Sequence, residues 1–264
     1  MLIIGERINS TRESIAQAIK EKNSSFIQQE ALKQVETGAD YVDVNAGIFM
    51  EEETKYLSWL VEVVQEATDK PLCIDTSKTE ALAAALKACR NKALVSSITA
   101  EKVRYDAFLP LIKQYECSLS ALCIDESGIP SSVQGRVEVT NRLISSLLAD
   151  KIAPQDIYID AIVQPIGADY KSGVTVLETI KQIKTQHPEV QAIVGLSNIS
   201  FGLPYRRHLN QIFLVMAIQA GLDAAILDPC DKKIMAHITT AKALLGQDRH
   251  CLNYIKAYRS GNLD

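Results

Sequence analysis

Short apolar runs recur along the chain, each closing on polar residues or Gly: LIIGERIN from Leu2, YVDVNAG from Tyr41, PLCIDTS from Pro71, ALVSSIT from Ala93, SLSALCIDE from Ser118, IYIDAIVQP from Ile157, QAIVGLSNIS from Gln191 and AAILDPC from Ala224. Runs of this length, many of them rich in Val and Ile, predict β-strands. Between them the apolar spacing changes from two to three and four, which predicts helices. The helical patterns are SIAQAIKEKNSSFIQQEALKQVETGA from Ser14, TKYLSWLVEVVQEA from Thr54, KTEALAAALKACR from Lys78, VEVTNRLISSLLAD from Val137, TVLETIKQIKTQ from Thr175, LNQIFLVMAIQAG from Leu209 and KKIMAHITTAKALLG from Lys232. Gly38 and Gly221 stand where a helix ends before a strand and a positive φ is needed.

Strands alternating with helices predict a parallel sheet, and eight such units predict an α/β fold of the closed (β/α)8 TIM barrel type. An open doubly wound sheet is the competing arrangement and requires some of these strands to be misread. No linker or low-complexity spacer interrupts the alternation, so residues 1–264 read as a single barrel domain. The 264 residues are 47% hydrophobic, enough for one large core.

Net charge is −4, with basic and acidic residues interspersed, so a nucleic-acid partner has no electrostatic footprint. No window approaches the roughly 20 apolar residues of a membrane span. The six Cys include no Cys-x-x-Cys pair and fit reduced thiols. A soluble, cytoplasmic protein is the expectation.

In a barrel of this kind, polar side chains at the C-terminal strand ends form the site. The run ends supply Glu6 and Asn9, Asp43 and Asn45, Asp75, Thr76 and Ser77, Ser96, Ser97 and Thr99, Asp125, Asp160 and Gln164, Ser197 and Asn198, and Asp228. Helix capping explains one or two of these, but not carboxylates on alternate residues inside YVDVN and IYIDAI. Carboxylates accept paired hydrogen bonds and carboxamides give one and take one, an inventory suited to an amino-heterocycle such as a pterin or purine. A sugar phosphate fits less well, because the last two strands lead into no Gly-rich loop.

Lys78 reads as a helix-start surface lysine rather than a Schiff-base former, and the four His fall on predicted helices or their ends, so no metal site is expected. Gly-x-Gly-x-x-Gly, Gly-x-x-x-x-Gly-Lys and Gly-x-Ser-x-Gly are all absent.

Six stretches, in order, carry a further likeness: IIGERIN (Ile3 to Asn9), GADYVDVNAG (Gly38 to Gly47), PLCIDTS (Pro71 to Ser77), YIDAIVQPI (Tyr158 to Ile166), GLSNISFGLPYR (Gly195 to Arg206) and GLDAAILDP (Gly221 to Pro229). With these the chain resembles the methyltetrahydrofolate:corrinoid protein methyltransferases, whose pterin-binding barrel is shared with dihydropteroate synthase and with the folate domain of cobalamin-dependent methionine synthase. The resemblance implies that Asp75 and Asp160 hold the pterin ring and that Asn198 lies close to its nitrogen 5, these three being the catalytic set. It places Asp43 and Asn45 on the pocket floor, and Arg206 on the strand-seven loop toward the benzoyl-glutamate tail. Ser96, Gln164, Gly195, Ser197 and Phe201 complete the expected binding residues. Ser96 stands where the branch serving corrinoid iron–sulfur proteins carries an Asn, and Phe201 gives the SNISFG form of the methionine synthase branch.

The implied reaction moves a methyl group between cobalamin and tetrahydrofolate or 5-methyltetrahydrofolate. The sequence holds no Asp-x-His-x-x-Gly loop, so cobalamin is expected on a separate corrinoid-binding protein, with no metal bound by this chain and a homodimer as the assembly. A shortened donor set at Ser96 favours tetrahydrofolate as acceptor; donation from 5-methyltetrahydrofolate to a corrinoid iron–sulfur protein, dihydropteroate synthesis and non-catalytic folate binding are the alternatives.

Overall fold

The structure, a computed structural model, describes Met1 to Leu263. Eight parallel strands close a barrel in sequence order: β1 (Leu2–Asn9), β2 (Tyr41–Asn45), β3 (Leu72–Asp75), β4 (Leu94–Thr99), β5 (Ser118–Leu122), β6 (Ile157–Asp160), β7 (Gln191–Gly195) and β8 (Ala224–Leu227). The helices outside are α1 (Glu13–Lys20), α2 (Ser24–Glu36), α3 (Glu53–Ala67), α4 (Thr79–Ala88), α5 (Lys102–Gln114), α6 (Val133–Ala149), α7 (Ser172–Gln186), α8 (Arg206–Ala220), α9 (Lys232–Leu244) and α10 (Leu252–Arg259). All eight expected strands are present, and the closed barrel replaces the open-sheet alternative. Gly38 and Gly221 both have φ 109°, as their position before a strand requires.

The single helix expected over 14–39 is two, divided at Lys22, which has φ 51°, and Asn23, whose side chain caps α2 by accepting from the Phe26 amide at 3.2 Å. Helix α5 escaped the periodicity because Pro110 sits inside it. The C-terminal α10 is short, and none of its residues is buried.

The period-two alternation of a strand explains how one sequence builds both core and site. On the inward face the lower barrel is apolar, with Ile4, Cys73, Leu94, Ile193 and Ala224 buried together and Leu2, Tyr41, Tyr158 and Ile226 packed against them. Two residues further along the same faces come Glu6, Asp43, Asp75, Ser96 and Asp160, with Asn45 two beyond Asp43. The outward faces pack on the helices in two larger apolar clusters. Register shifts interrupt β1 between Gly5 and Ile8 and β4 between Ser96 and Ile98, both at the polar end. Among the described residues no helix is long and apolar enough to cross a membrane.

Candidate pterin-binding site

The registers set the polar residues side by side around the rim. Asn45 pairs with Asp75 across β2 and β3, Asp75 with Ser96, and Ser96 with Ser120. Asn45 Nδ2 donates to Asp75 Oδ2 at 3.0 Å, while its Oδ1 accepts from Ser10 Oγ at 2.8 Å and from the Gly47 amide at 3.0 Å. The carboxamide is thereby fixed, and it orients one oxygen of Asp75. Behind this pair, Arg104 of α5 donates from Nε to the Ser97 carbonyl at 2.9 Å and from Nη2 to the Thr76 carbonyl at 3.4 Å. Thr76 itself hydrogen-bonds Glu53.

One layer down, Asp43 is 3% exposed and its Oδ1 is buried without a hydrogen-bond partner. Burial raises its pKa well above the usual carboxylate range, and the neighbouring Asp75 adds to the effect. Asp75 is also raised by burial, opposed by the Asn45 hydrogen bond and by the charge of Arg104.

Across the barrel, Asp160 ends β6. Its Oδ1 accepts from the Ile162 amide at 2.7 Å, and burial pushes its pKa up to about 6. Gln164 follows in the loop, with Oε1 held by Arg136 Nη2 at 2.9 Å. After β7 a 3-10 turn, Leu196–Ser200, carries Ser197 and Asn198. Ser197 Oγ donates to Glu6 Oε2 at 3.0 Å and ties strand seven to strand one. Glu6 is raised by burial, opposed first by that hydrogen bond. Asn198 is exposed, and its side chain has no hydrogen-bond partner among the described residues.

Arg206 turns back on its own loop: Nη2 donates to the Ser197 carbonyl at 2.7 Å and Nε to Ser200 Oγ at 3.1 Å, with its guanidinium 5.8 Å from the Phe201 ring. It braces the turn that carries Asn198 and leaves Nη1 for a ligand. Two strand-end carboxylates are occupied elsewhere. Asp228 pairs with Arg7 at 3.0 Å, and Asp125 is ion-paired with Arg142. Lys78 stands just before α4 and its ammonium lies 3.8 Å from Glu53, on the surface as expected. The contributions of Glu6 as a partner of Ser197, and of Arg104 and Arg136 as clamps, follow from tertiary contacts with no local sequence signal.

The arrangement is a rim of acceptors above a buried acidic floor. Asp75 and Asp160 each retain one carboxylate oxygen without a partner among the described residues, which suits a flat ligand with adjacent N–H donors. Residues 5–228 match the family model described as pterin binding enzyme. The chain belongs to that family. It is 37% identical over 265 residues to the methylcorrinoid:tetrahydrofolate methyltransferase of Eubacterium limosum, covering 100% of this chain and 98% of that protein. It is 28% identical over 240 residues to the methionine synthase of Mycobacterium tuberculosis, covering 86% of this chain but 20% of that much longer protein. Among solved structures, dihydropteroate synthase from Xanthomonas albilineans in complex with 7,8-dihydropteroate superposes with TM-score 0.70 at 19% identity, covering 92% of this chain and 93% of that one. The Yersinia pestis enzyme with a pterine-sulfa conjugate gives 0.67 at 16%, covering 92% and 93%. At these identities the structural likeness speaks for the barrel fold.

Proposed function

We propose that the protein is a methyltransferase that moves a methyl group between a corrinoid carried by a separate protein and nitrogen 5 of tetrahydrofolate, with tetrahydrofolate as acceptor. The observation that carries the reading is the set of unsatisfied groups on one rim: an open oxygen on Asp75, another on Asp160, and the unbonded carboxamide of Asn198. Pterin N–H groups satisfy the two carboxylates, and Asn198 is left for nitrogen 5. The full-length similarity to an enzyme named for this transfer supports the assignment.

The corrinoid supplies an electrophilic methyl group, so no protein nucleophile is needed and the chain acts by positioning and charge. Asn45 and Arg104 hold the Asp75 side of the rim, and Arg206 holds the turn carrying Asn198. Alkylating the N–H of nitrogen 5 makes an ammonium that must release a proton. Glu6, joined to the residue before Asn198 and raised by burial, is the rim carboxylate suited to receive it. Ile48, Met50, Phe201 and Tyr205, exposed by 49%, 72%, 65% and 80%, stand on the loops around the mouth and give a protein partner apolar surface to cover. A homodimer is part of the same reading, and Val174, Ile212 and Met216 on α7 and α8 are the exposed apolar residues available to it.

The test mixes the purified protein with a methylated corrinoid protein and tetrahydrofolate. Formation of 5-methyltetrahydrofolate, measured by chromatography as the methylcorrinoid absorbance decays, is the expected result. Tetrahydrofolate binding with no methyl exchange would overturn the assignment and leave a binding protein. Light scattering at micromolar concentration decides the dimer.

A further inference from the structure

Arg136 lies in the first turn of α6 and is 1% exposed, heading the largest fully buried side chains. Two effects oppose a guanidinium there: the loss of its hydration and the positive end of the helix dipole. They are offset by acceptors gathered from two segments. Nε donates to the Pro130 carbonyl at 3.0 Å, Nη1 to the Ala161 and Ile162 carbonyls at 2.6 and 2.8 Å, and Nη2 to Gln164 Oε1 at 2.9 Å. These partners are all neutral, so the charge is not cancelled by direct contact with any of them.

Three of the four contacts act on the exit of β6, and the fourth, to Pro130, ties it to the loop before α6. Ile162 has φ 58°, a conformation that a β-branched residue avoids, and holding its carbonyl holds that conformation. The same conformation brings the Ile162 amide to Asp160 Oδ1 at 2.7 Å, leaving the other oxygen open. Arg has no acceptor, so its bond to Gln164 fixes which way that carboxamide faces: Oε1 is used, and Nε2 remains as a donor. The loop then offers an acceptor at Asp160 and a donor at Gln164, which matches the adjacent N–H and carbonyl of a cyclic amide edge.

We propose that Arg136 is a positioning residue for the ligand ring: its guanidinium locks the exit of β6 so that Asp160 presents an ionised oxygen and Gln164 presents an amide N–H. The ring's identity rests on the function proposed above; the locking of Asp160 does not. The groups facing Asp160 are few. Arg136 comes from α6, and Cys123 immediately follows β5, where its amide donates to the Asp160 carbonyl at 3.4 Å and its thiol is pushed up to about 12 by burial. From β7 the paired residue is the apolar Ile193.

The test compares wild type with Arg136→Ala and Arg136→Lys, first without ligand. Carbon-13 NMR follows the titration of the Asp160 carboxyl, and hydrogen exchange follows the Ile162 amide. Wild-type Asp160 should titrate at about 6. In Arg136→Ala the midpoint should move upward, because a cation that favours the carboxylate is gone, and Ile162 should lose protection. Arg136→Lys keeps a charge but cannot span Ile162 and Gln164 together, so its midpoint should move less while Ile162 still loses protection. Tetrahydrofolate affinity at neutral pH should fall at least roughly tenfold in both variants, and millimolar guanidinium should recover part of it in Arg136→Ala.

A merely structural arginine would lower the melting temperature and leave the Asp160 titration and the Ile162 exchange unmoved in the folded variants, and that result overturns the proposal. If Arg136→Ala does not fold, unchanged exchange at Ile162 and unchanged affinity in Arg136→Lys overturn it equally. Failure of the wild type to bind tetrahydrofolate counts against the functional reading alone, since the titration and exchange decide the positioning role without a ligand.

Discussion

Asn198 lays its carboxamide over Gly195 so closely that a Cβ at position 195 would stand 3.2 Å from Asn198 Nδ2. Gly195 has φ −80° and ψ 98°, which any residue adopts, so the glycine serves the approach of Asn198 rather than the path of the chain. Gly195→Ala should therefore fold normally and move the carboxamide by a few tenths of an ångström. Methyl transfer should fall roughly tenfold, with tetrahydrofolate affinity nearly retained, because the two carboxylates proposed to hold the ring lie on other strands. Single-turnover rates beside calorimetric titration check this; equal losses in rate and affinity would count against it.

Removing the carboxamide altogether separates binding from chemistry. If Asn198 acts at nitrogen 5 mainly in the transition state, Asn198→Ala should lower the rate about a hundredfold while affinity changes little. A catalyst leaves the equilibrium unchanged, so the rates with tetrahydrofolate and with 5-methyltetrahydrofolate should fall by the same factor under matched conditions. Spectroscopy of the corrinoid partner in both directions measures it, and unchanged rates would remove Asn198 from the catalytic set.

Asp160 predicts opposite pH responses for binding and stability. Its folded-state value of about 6 lies above the unfolded value of about 3.9, so the native protein holds an extra proton between those limits. From this group the ligand-free protein gains stability as pH falls from about 6 toward about 4 and loses it again as pH rises. If Asp160 holds the ring as proposed, tetrahydrofolate binding uses its carboxylate and should weaken as pH falls through about 6. Urea midpoints and calorimetry at pH 7 and pH 5.5 test the pair, with Asp160→Asn as the variant in which the pH dependence of both should shrink. Asp160→Ala at neutral pH should cost roughly 2–3 kcal/mol of binding by leaving ring donors unpaired.

How much of this was legible in the chain depends on whether a feature is local. Parallel strands buried on both faces read as continuous apolar runs, and a carboxylate breaking such a run at period two, as Asp43 and Asp160 do, is visible without a structure. Two of the clamps were not visible. Arg104 and Arg136 look like ordinary helix-start arginines, yet each reaches from the first turn of a helix to carbonyls at a strand exit, whereas Arg206 was expected to face a ligand tail and in addition holds the Ser197 carbonyl. Asp125 and Asp228 show the converse, since they look like site carboxylates until Arg142 and Arg7 are seen to pair with them. Helix α5 was hidden by Pro110, a residue that stops most helices but is accommodated here.

With tetrahydrofolate as acceptor, each turnover places one proton on nitrogen 5 in excess of what the product retains. Glu6 stands on the rim with Oε2 taken by Ser197 and Oε1 without a partner among the described residues. Burial raises its pKa, so it binds a released proton more readily than a surface carboxylate does. Glu6→Gln keeps the shape and the Ser197 contact but cannot accept a proton. Transfer to tetrahydrofolate should slow by about 10²-fold, in the range of general acid–base contributions, with tetrahydrofolate affinity within about threefold of wild type. The rate of the wild type should fall as pH drops and Glu6 becomes protonated beforehand, and that limb of the profile should vanish in Glu6→Gln. Ser197→Ala removes a donor that favours the carboxylate, so its limb should move to higher pH without disappearing. Stopped-flow rates across pH for the three proteins decide the matter: a profile in Glu6→Gln identical to wild type would show that the proton leaves directly to solvent.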